Sequence, residues 1–566
     1  MMPLESVVAE IRSGAKVANA RLVELLSSPL RQARFLACIE LARAFAGAGH
    51  RETALRMSRR AFGLWDGEPG FIDDHLALLR ADGDAEGIRA AGKRAGMLSV
   101  GQRDVMSAVR YFNIHHYAYQ STGRGDRYEY DHDILRAIER LAGVGAEGRL
   151  PQRPAVPGNK IRVAYLVYGA NHTKSVLVRL MLDFASHHDR DQFEVLFFSP
   201  DIDIPARQAN ADLLHSAGGK LITANSPDDR ICLAETATAV DRFAPDFLVS
   251  VAALADYRQY YLFARCPAAV RVSLSYGPPA QFVPPTTDWV ITASIHTLID
   301  SPQDGSLIQI EATPPVPPQG AGSLPEGVYI PEGAVVIMAA GRSEKFLSRQ
   351  YWEAILDVLE AFPNACFIAF GLIVRPDFLD ELQATAPGRR VQVLGWLEDY
   401  HDLLARADIV VDTYPSGGGL TVMDSMVFGI PVLAFANDYL NPFDQTNWNP
   451  AEEILCNPEL VVPRDDFKVF SRRLSDLISD PVLRKRLGEE CRRHVNETRG
   501  NPQRMVRRVE SEYLRLWEQA CVRRRLEWIE TPRNWGRRLL TAGRQSIRDW
   551  RMRRAWRKFK QQAKDR

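Results

Sequence analysis

Ala407-Asp-Ile-Val-Val-Asp412-Thr-Tyr-Pro-Ser-Gly417-Gly-Gly419-Leu-Thr421-Val-Met-Asp424-Ser-Met-Val-Phe-Gly429-Ile-Pro-Val432 is the stretch that decides the fold. It opens as an apolar strand ending at Asp412 and turns through three consecutive glycines, Gly417, Gly418 and Gly419. A helix is predicted from about Leu420 or Thr421 to Gly429, and Ile430–Phe435 is the next strand. Glycines without a Cβ let a phosphate approach the backbone, and the free N–H groups and dipole of a helix N-terminus favour an anion. Thr421 in the first turn offers a hydroxyl, and Asp424 one turn further in can accept hydrogen bonds from ribose hydroxyls. By spacing alone, an ordinary strand-to-helix turn fits equally well.

The same alternation continues outward. Ala334–Ala340, Cys366–Phe370, Val391–Leu394, Ile409–Val411 and Pro431–Phe435 are apolar runs of strand length. Upstream, Ile161–Tyr168, Phe193–Phe198 and Phe247–Val251 repeat the pattern, separated by helical stretches such as Val176–His187. Apolar strands alternating with helices predict an α/β protein whose parallel sheets are covered on both faces. Proline-rich segments divide the chain, and six prolines fall between Pro314 and Pro331. Two doubly wound, Rossmann-like domains are expected at 161–312 and 333–521, joined by a stiff linker at 313–332. The second takes in a returning helix marked by Met505, Val509, Tyr513 and Trp517. Ligands of such sheets bind at the carboxyl ends of the strands, which places the site between the two domains.

Residues 1–143 read as all-helical, followed by a linker at 144–160. Ala42, Phe45, Gly49, Ala54 and Ala61 recur 34 residues later as Leu76, Leu79, Gly83, Ile88 and Ala95. Small and apolar residues at those offsets suit antiparallel helix pairs, and the period resembles tetratricopeptide repeats.

Of the 566 residues 46% are hydrophobic and 25% charged, the balance of an ordinary globular protein. Seven scattered cysteines form no CxxC pair, so neither a zinc site nor a disulfide framework is expected, and a reducing, cytoplasmic compartment fits. The sequence shows no secretory signal and no apolar run long enough to span a bilayer. A net charge of +1 conceals an asymmetry: residues 522–566 hold 16 Lys and Arg against 4 Asp and Glu, a local +12 that leaves −11 on the rest. This basic, Trp-rich tail suits an anionic membrane surface, such as the inner face of a cell membrane, or a return onto the acidic body; nucleic acid is unlikely.

The segment Asp424-Ser-Met-Val-Phe-Gly-Ile-Pro-Val432 resembles the pattern acid-Ala-Met-Ala-x-Gly-x-Pro-Val of glycosyltransferases with the two-domain GT-B fold. More closely, Leu404–Pro415 with the glycines, Thr421 and Met423-Asp424 resembles the O-GlcNAc transferase family. Lys345 in Ala340-Gly-Arg342-Ser-Glu-Lys345 matches that family's phosphate-binding lysine, and Tyr351–Ala365 matches its following helix. In the first domain, Val163–Thr173 resembles the family's opening strand and Asn-His loop, with His172 at the cleft. Ala244–Ser250 and Ala264–Ser273, then Gly277 and Asp288, also track the family.

The resemblance implies a nucleotide-sugar donor site in which Gly417, Gly418, Gly419 and Thr421 hold a diphosphate. Lys345 would neutralise it, Arg342 would also belong to the donor site, Asp424 would hold the ribose, and His172 would act as base or sugar-positioning group. It further implies metal-independent transfer from a UDP-sugar to a protein or glycan acceptor, with inversion, the helical domain binding the acceptor. Replacing Asp424 is expected to abolish donor binding without unfolding the chain. Two departures stand out. Gly419-Leu420 replaces the family's His-Thr pair, so contacts to the pyrophosphate should rest on backbone amides, and the family's Gly-Tyr/His-Thr element is missing near Ala253–Asp256. A retaining GT-B transferase making surface polysaccharide, and a non-catalytic adaptor on a degenerate transferase body, remain open. Asp201 and Asp203 have the spacing of a metal-binding Asp-x-Asp, but in the wrong fold for that role.

Overall fold

A computed structural model describes residues 4–15, 17, 19–67, 70–118, 131–143, 159–167, 176–200, 204–224, 226, 228–251, 256–275, 283, 286–293, 303–317, 324–372, 375–376, 378–397, 399–437 and 451–529. It divides into two units, an N-terminal one ending at Leu141 and a larger one that begins at Ala142.

The regular secondary structure among the described residues of the N-terminal unit is all helical. Arg31–Gly47 pairs with Arg51–Leu64, and Phe71–Asp82 with Ala85–Gly101. Gly49 and Gly83, the two glycines singled out by the 34-residue spacing, lie in the turns of these hairpins with φ of +81° and +71°. Residues with a Cβ rarely adopt that conformation. The Ala85–Gly101 helix also lies close against Val105–His116: a Cβ on Gly92 would stand 2.8 Å from the Tyr111 carbonyl. Buried Leu41, Leu55, Leu76, Leu79 and Ile88 form the core.

The larger unit contains two all-parallel sheets. The first holds β1 (Ile161–Val167), β2 (Phe193–Ser199), β3 (Leu221–Thr223), β4 (Phe247–Val251), β5 (Val270–Ser275), β6 (Trp289–Thr292) and β7 (Gly305–Leu307), in the order β3-β2-β1-β4-β5-β6-β7. The second holds β8 (Val335–Ala340), β9 (Ala365–Phe370), β10 (Val391–Val393), β11 (Ile409–Val411), β12 (Val432–Phe435) and β13 (Val461–Val462), in the order β10-β9-β8-β11-β12-β13. Every residue of β9 and β12 is buried, which is why these strands read as unbroken apolar runs; β4 is buried throughout as well, with Ser250 its one polar residue. In each sheet the strand order reverses beside the first strand, between β1 and β4 and between β8 and β11. A crevice opens at such a point.

The helix Pro502–Ile529 follows the second sheet in the chain, yet Met505, Val506, Val509, Tyr513 and Leu516 are buried in the core of the first. Chain order had placed this helix with the second domain, whereas its apolar face completes the first. His188, fully buried, joins Glu510 (2.8 Å) to the Tyr165 hydroxyl (2.7 Å), and Glu510 also accepts the Asp189 amide at 2.7 Å. At the two crossings between domains, Ala312 N donates to Arg499 O at 3.0 Å and Arg504 pairs with buried Glu311 at 2.7 Å. Among the described residues, no helix is long and apolar enough to cross a membrane.

Candidate active site

The candidate site lies at the switch point of the second sheet, where the chain leaves β8 and β11. After β8, Gly341 leads into a short 3-10 turn, Ser343–Phe346, which carries Lys345. Beyond β11, the buried Asp412 braces the glycine turn. Its Oδ1 accepts the amides of Thr413 (2.9 Å) and Gly418 (2.8 Å), while the buried Tyr351 hydroxyl donates to its carbonyl at 3.1 Å. The helix Leu420–Val427 then begins with Gly419 as its N-cap, and no side chain caps it.

This geometry refines the expected phosphate contacts. The Gly418 amide already serves Asp412, so it holds the turn in shape. Intrahelical bonding begins at Met423 N, which donates to Gly419 O at 3.1 Å, leaving the amides of the first turn as the donors an anion would meet. Lys345 Nζ donates to the Gly417 carbonyl, so the two strand ends meet through that bond. Arg342, one residue before the 3-10 turn, is exposed and does not line the adjacent cavity. Thr421 lies in the first turn of the Leu420–Val427 helix, beside Tyr400.

Asp424 occupies a different setting from the one its sequence position suggested. Its side chain has 0% exposure and forms a bidentate pair with Arg179, which the helix Val176–His187 projects from the first domain. Nη1 lies 2.8 Å from Oδ2 and Nη2 3.0 Å from Oδ1. The Tyr400 hydroxyl donates to Oδ2 at 2.5 Å, and His401 Nε2 lies 3.3 Å from the same oxygen. Burial alone would raise this carboxyl, but His401, Arg179 and Tyr400 outweigh it and hold the group below the usual carboxylate range. Asp424 therefore carries structural load as well as any binding role, and its removal would strand the Arg179 guanidinium.

A cavity of about 200 Å3 adjoins these groups. Lys345, Gly417 and Gly419 line it from one domain and Arg179 from the other, with Glu453 and Arg499 also in its wall. Glu453 lies on the short helix Ala451–Ile454, and its carbonyl accepts Arg499 Nη2 at 2.8 Å. Burial pushes its carboxyl up to about 7, against a smaller lowering by Arg499, and burial lowers Arg499 in turn. Three cations thus face a cavity of mainly apolar wall, the arrangement that suits a diphosphate attached to less polar groups. Arg179, Tyr400, His401, Glu453 and Arg499 were not singled out by the sequence. His172, Asp201 and Asp203 lie outside the described residues, as does the tail from residue 530 onward. Among the described residues no group of three or more His, Cys, Asp or Glu could hold a metal ion.

Residues 336–480, which contain Lys345, the glycine turn, Asp424 and Glu453, match the family model described as glycosyl transferases group 1. The chain carries a glycosyltransferase domain, and its two parallel sheets have the GT-B fold. A solved structure of a mutant Thermobaculum terrenum O-GlcNAc transferase matches with a TM-score of 0.55 at 19% identity, covering 92% of this chain and 99% of that one. Sucrose-phosphate synthase from Thermosynechococcus elongatus matches at TM-score 0.46 and 15% identity, over 64% of this chain and 100% of that one. Anabaena HepE, in complex with UDP and glucose, matches at TM-score 0.44 and 14% identity, over 62% and 99% of the respective chains. No curated protein matches in sequence. In this glycosyltransferase the matched segment supplies the cavity's Lys345, glycine and Glu453 wall, and Arg179 and Arg499 come from outside it.

Proposed function

We propose that this glycosyltransferase moves a sugar from a UDP-sugar to a protein or glycan acceptor, with inversion at the anomeric carbon and without a metal ion. The observation that carries the reading is the convergence of Lys345, the first turn of the Leu420–Val427 helix and Arg179 on one cavity. Negative charge builds on the diphosphate as the glycosidic bond breaks, and fixed cations in a partly desolvated cleft stabilise it. Lys345 neutralises the leaving group, the helix amides with Gly417 and Gly419 hold it, and Asp424 takes the ribose hydroxyls. His172 acts as base or positions the sugar. The N-terminal helical unit, with its tetratricopeptide-like spacing, binds the acceptor, and the basic tail holds the enzyme at an anionic membrane surface.

The test is incubation of the full chain with a panel of nucleotide sugars, scoring release of nucleoside diphosphate. Turnover of a UDP-sugar, with the product anomer read by NMR, supports the reading; a retained anomer overturns the inverting mechanism. UDP binding without turnover of any sugar points to an adaptor built on a transferase body. Failure to bind any nucleoside diphosphate refutes the donor assignment.

A further inference from the structure

Two demands on one carboxylate conflict. The donor reading gives Asp424 to the ribose hydroxyls, but both its oxygens are already taken and none of its surface is open. Oδ2 faces Arg179, Tyr400 and His401, and Oδ1 accepts the second arm of Arg179. A vicinal diol needs at least one of those positions. Tyr400 and His401 lie beside Asp424 in the same domain, whereas Arg179 reaches in from the other domain on a long side chain that keeps 21% exposure. It also lines the cavity with Lys345 and Gly417. Arg179 is thus the partner that can leave, and a place for it to go lies on its own open side. A diphosphate offers a guanidinium the same bidentate geometry as a carboxylate, with more charge.

We propose that the Arg179–Asp424 pair is a latch that a nucleoside diphosphate opens by exchange, the guanidinium moving to the diphosphate and the carboxylate to the ribose. The inference rests on the donor reading above. Exchange makes recognition of the two halves of the ligand interdependent. A nucleoside alone must break the pair and gives Arg179 no new partner. A nucleoside diphosphate breaks it and replaces it, so Arg179 becomes a selectivity residue for the phosphorylated ligand. Its second contact, Nη2 to the Thr313 carbonyl at 3.3 Å, ties the latch to the crossing between the domains, so opening it also loosens that crossing.

Calorimetry on the full chain with UDP and with uridine tests this. The parent is measured first, and should bind UDP at least 100-fold more tightly than uridine. Arg179→Met should narrow that gap by fivefold or more, with uridine bound at least as tightly as by the parent. A smaller narrowing, or a loss of uridine affinity that matches the loss for UDP, overturns the latch while leaving the donor reading intact. A parent that binds neither ligand brings down both. Arg179→Lys keeps the charge but cannot form the bidentate pair, and it carries the test if the Met variant does not fold: uridine should bind more tightly than to the parent, and unchanged uridine binding refutes the exchange.

Discussion

Glu453 offers a test of the cleft that needs no knowledge of the donor. Its carboxyl sits in the cavity wall near Arg499, and burial carries it from 4.5 up to about 7. The unfolded chain therefore ionises this group first. Stability falls as pH rises from about 4.5 to about 7 and is level above that. At about 1.4 kcal/mol per pH unit the full loss is on the order of 3 kcal/mol, with roughly 1 kcal/mol of it already present at pH 5. Gln keeps the shape of the side chain and removes its ionisation. Glu453→Gln should therefore be more stable than the parent by about 3 kcal/mol at pH 8 and by only about 1 kcal/mol at pH 5. Urea titration read by hydrogen exchange in peptides spanning β8–β12 isolates the domain that carries the residue. Equal gains at the two pH values, or a variant less stable than the parent at pH 8, would refute the placement of an ionisable group in a desolvated wall. A stabilising substitution in an active-site cleft also implies a cost tolerated for function, so the same variant should lose transferase activity.

Three further outcomes follow from particular contacts. A Cβ on Gly488 would stand 1.9 Å from the carbonyl of Gly429, whose amide closes the turn after the Leu420–Val427 helix, so Gly488→Ala should cost about 2 kcal/mol or more and lower the melting temperature measured by calorimetry. Glu510→Ala leaves the buried His188 ring and the Asp189 amide without their acceptor and should cost about 2–4 kcal/mol in urea unfolding, Glu510→Gln less. Lys345→Ala should leave the fold intact and lower kcat in a transfer assay by roughly 100-fold or more, because it removes a cation from the leaving diphosphate; a change below threefold would place the lysine outside the chemistry.

Strands that are mainly apolar were legible: no polar residue occurs in β8, β9, β11 or β12, and the runs of β1, β2 and β4 are interrupted only by Arg162, Glu194 and Ser250. β5 was not read as a strand: Val270-Arg-Val-Ser-Leu-Ser275 alternates polar and apolar residues although Ser273 is fully buried between its neighbours. β3, β7 and β13 are two or three residues long and mostly half-buried, too short for any periodicity to register. Within the site, the glycine turn was legible because residues without a Cβ mark a tight turn, whereas Lys345 was picked out only by the family resemblance. The engagement of the Gly418 amide was not, since it depends on where the Asp412 side chain points.

Arg179 differs from these, because its signal was present in the sequence. Val176-Leu-Val-Arg-Leu-Met-Leu-Asp-Phe-Ala185 is apolar around its whole circumference except at Arg179 and Asp183, four residues apart on one face. A helix covered on all sides cannot leave two charges without partners. The structure supplies both: Asp424 for Arg179, and the Thr313 amide at 3.2 Å, with its hydroxyl, for Asp183. Both partners lie beyond the first domain, one on the Leu420–Val427 helix and the other at the start of the linker. Charges isolated in an apolar helix thus marked where the second domain would meet the first, and their spacing of one turn set them side by side on that face. The partners themselves could not be named from sequence, because 245 residues separate Arg179 from Asp424 and only the folding of both sheets brings them together.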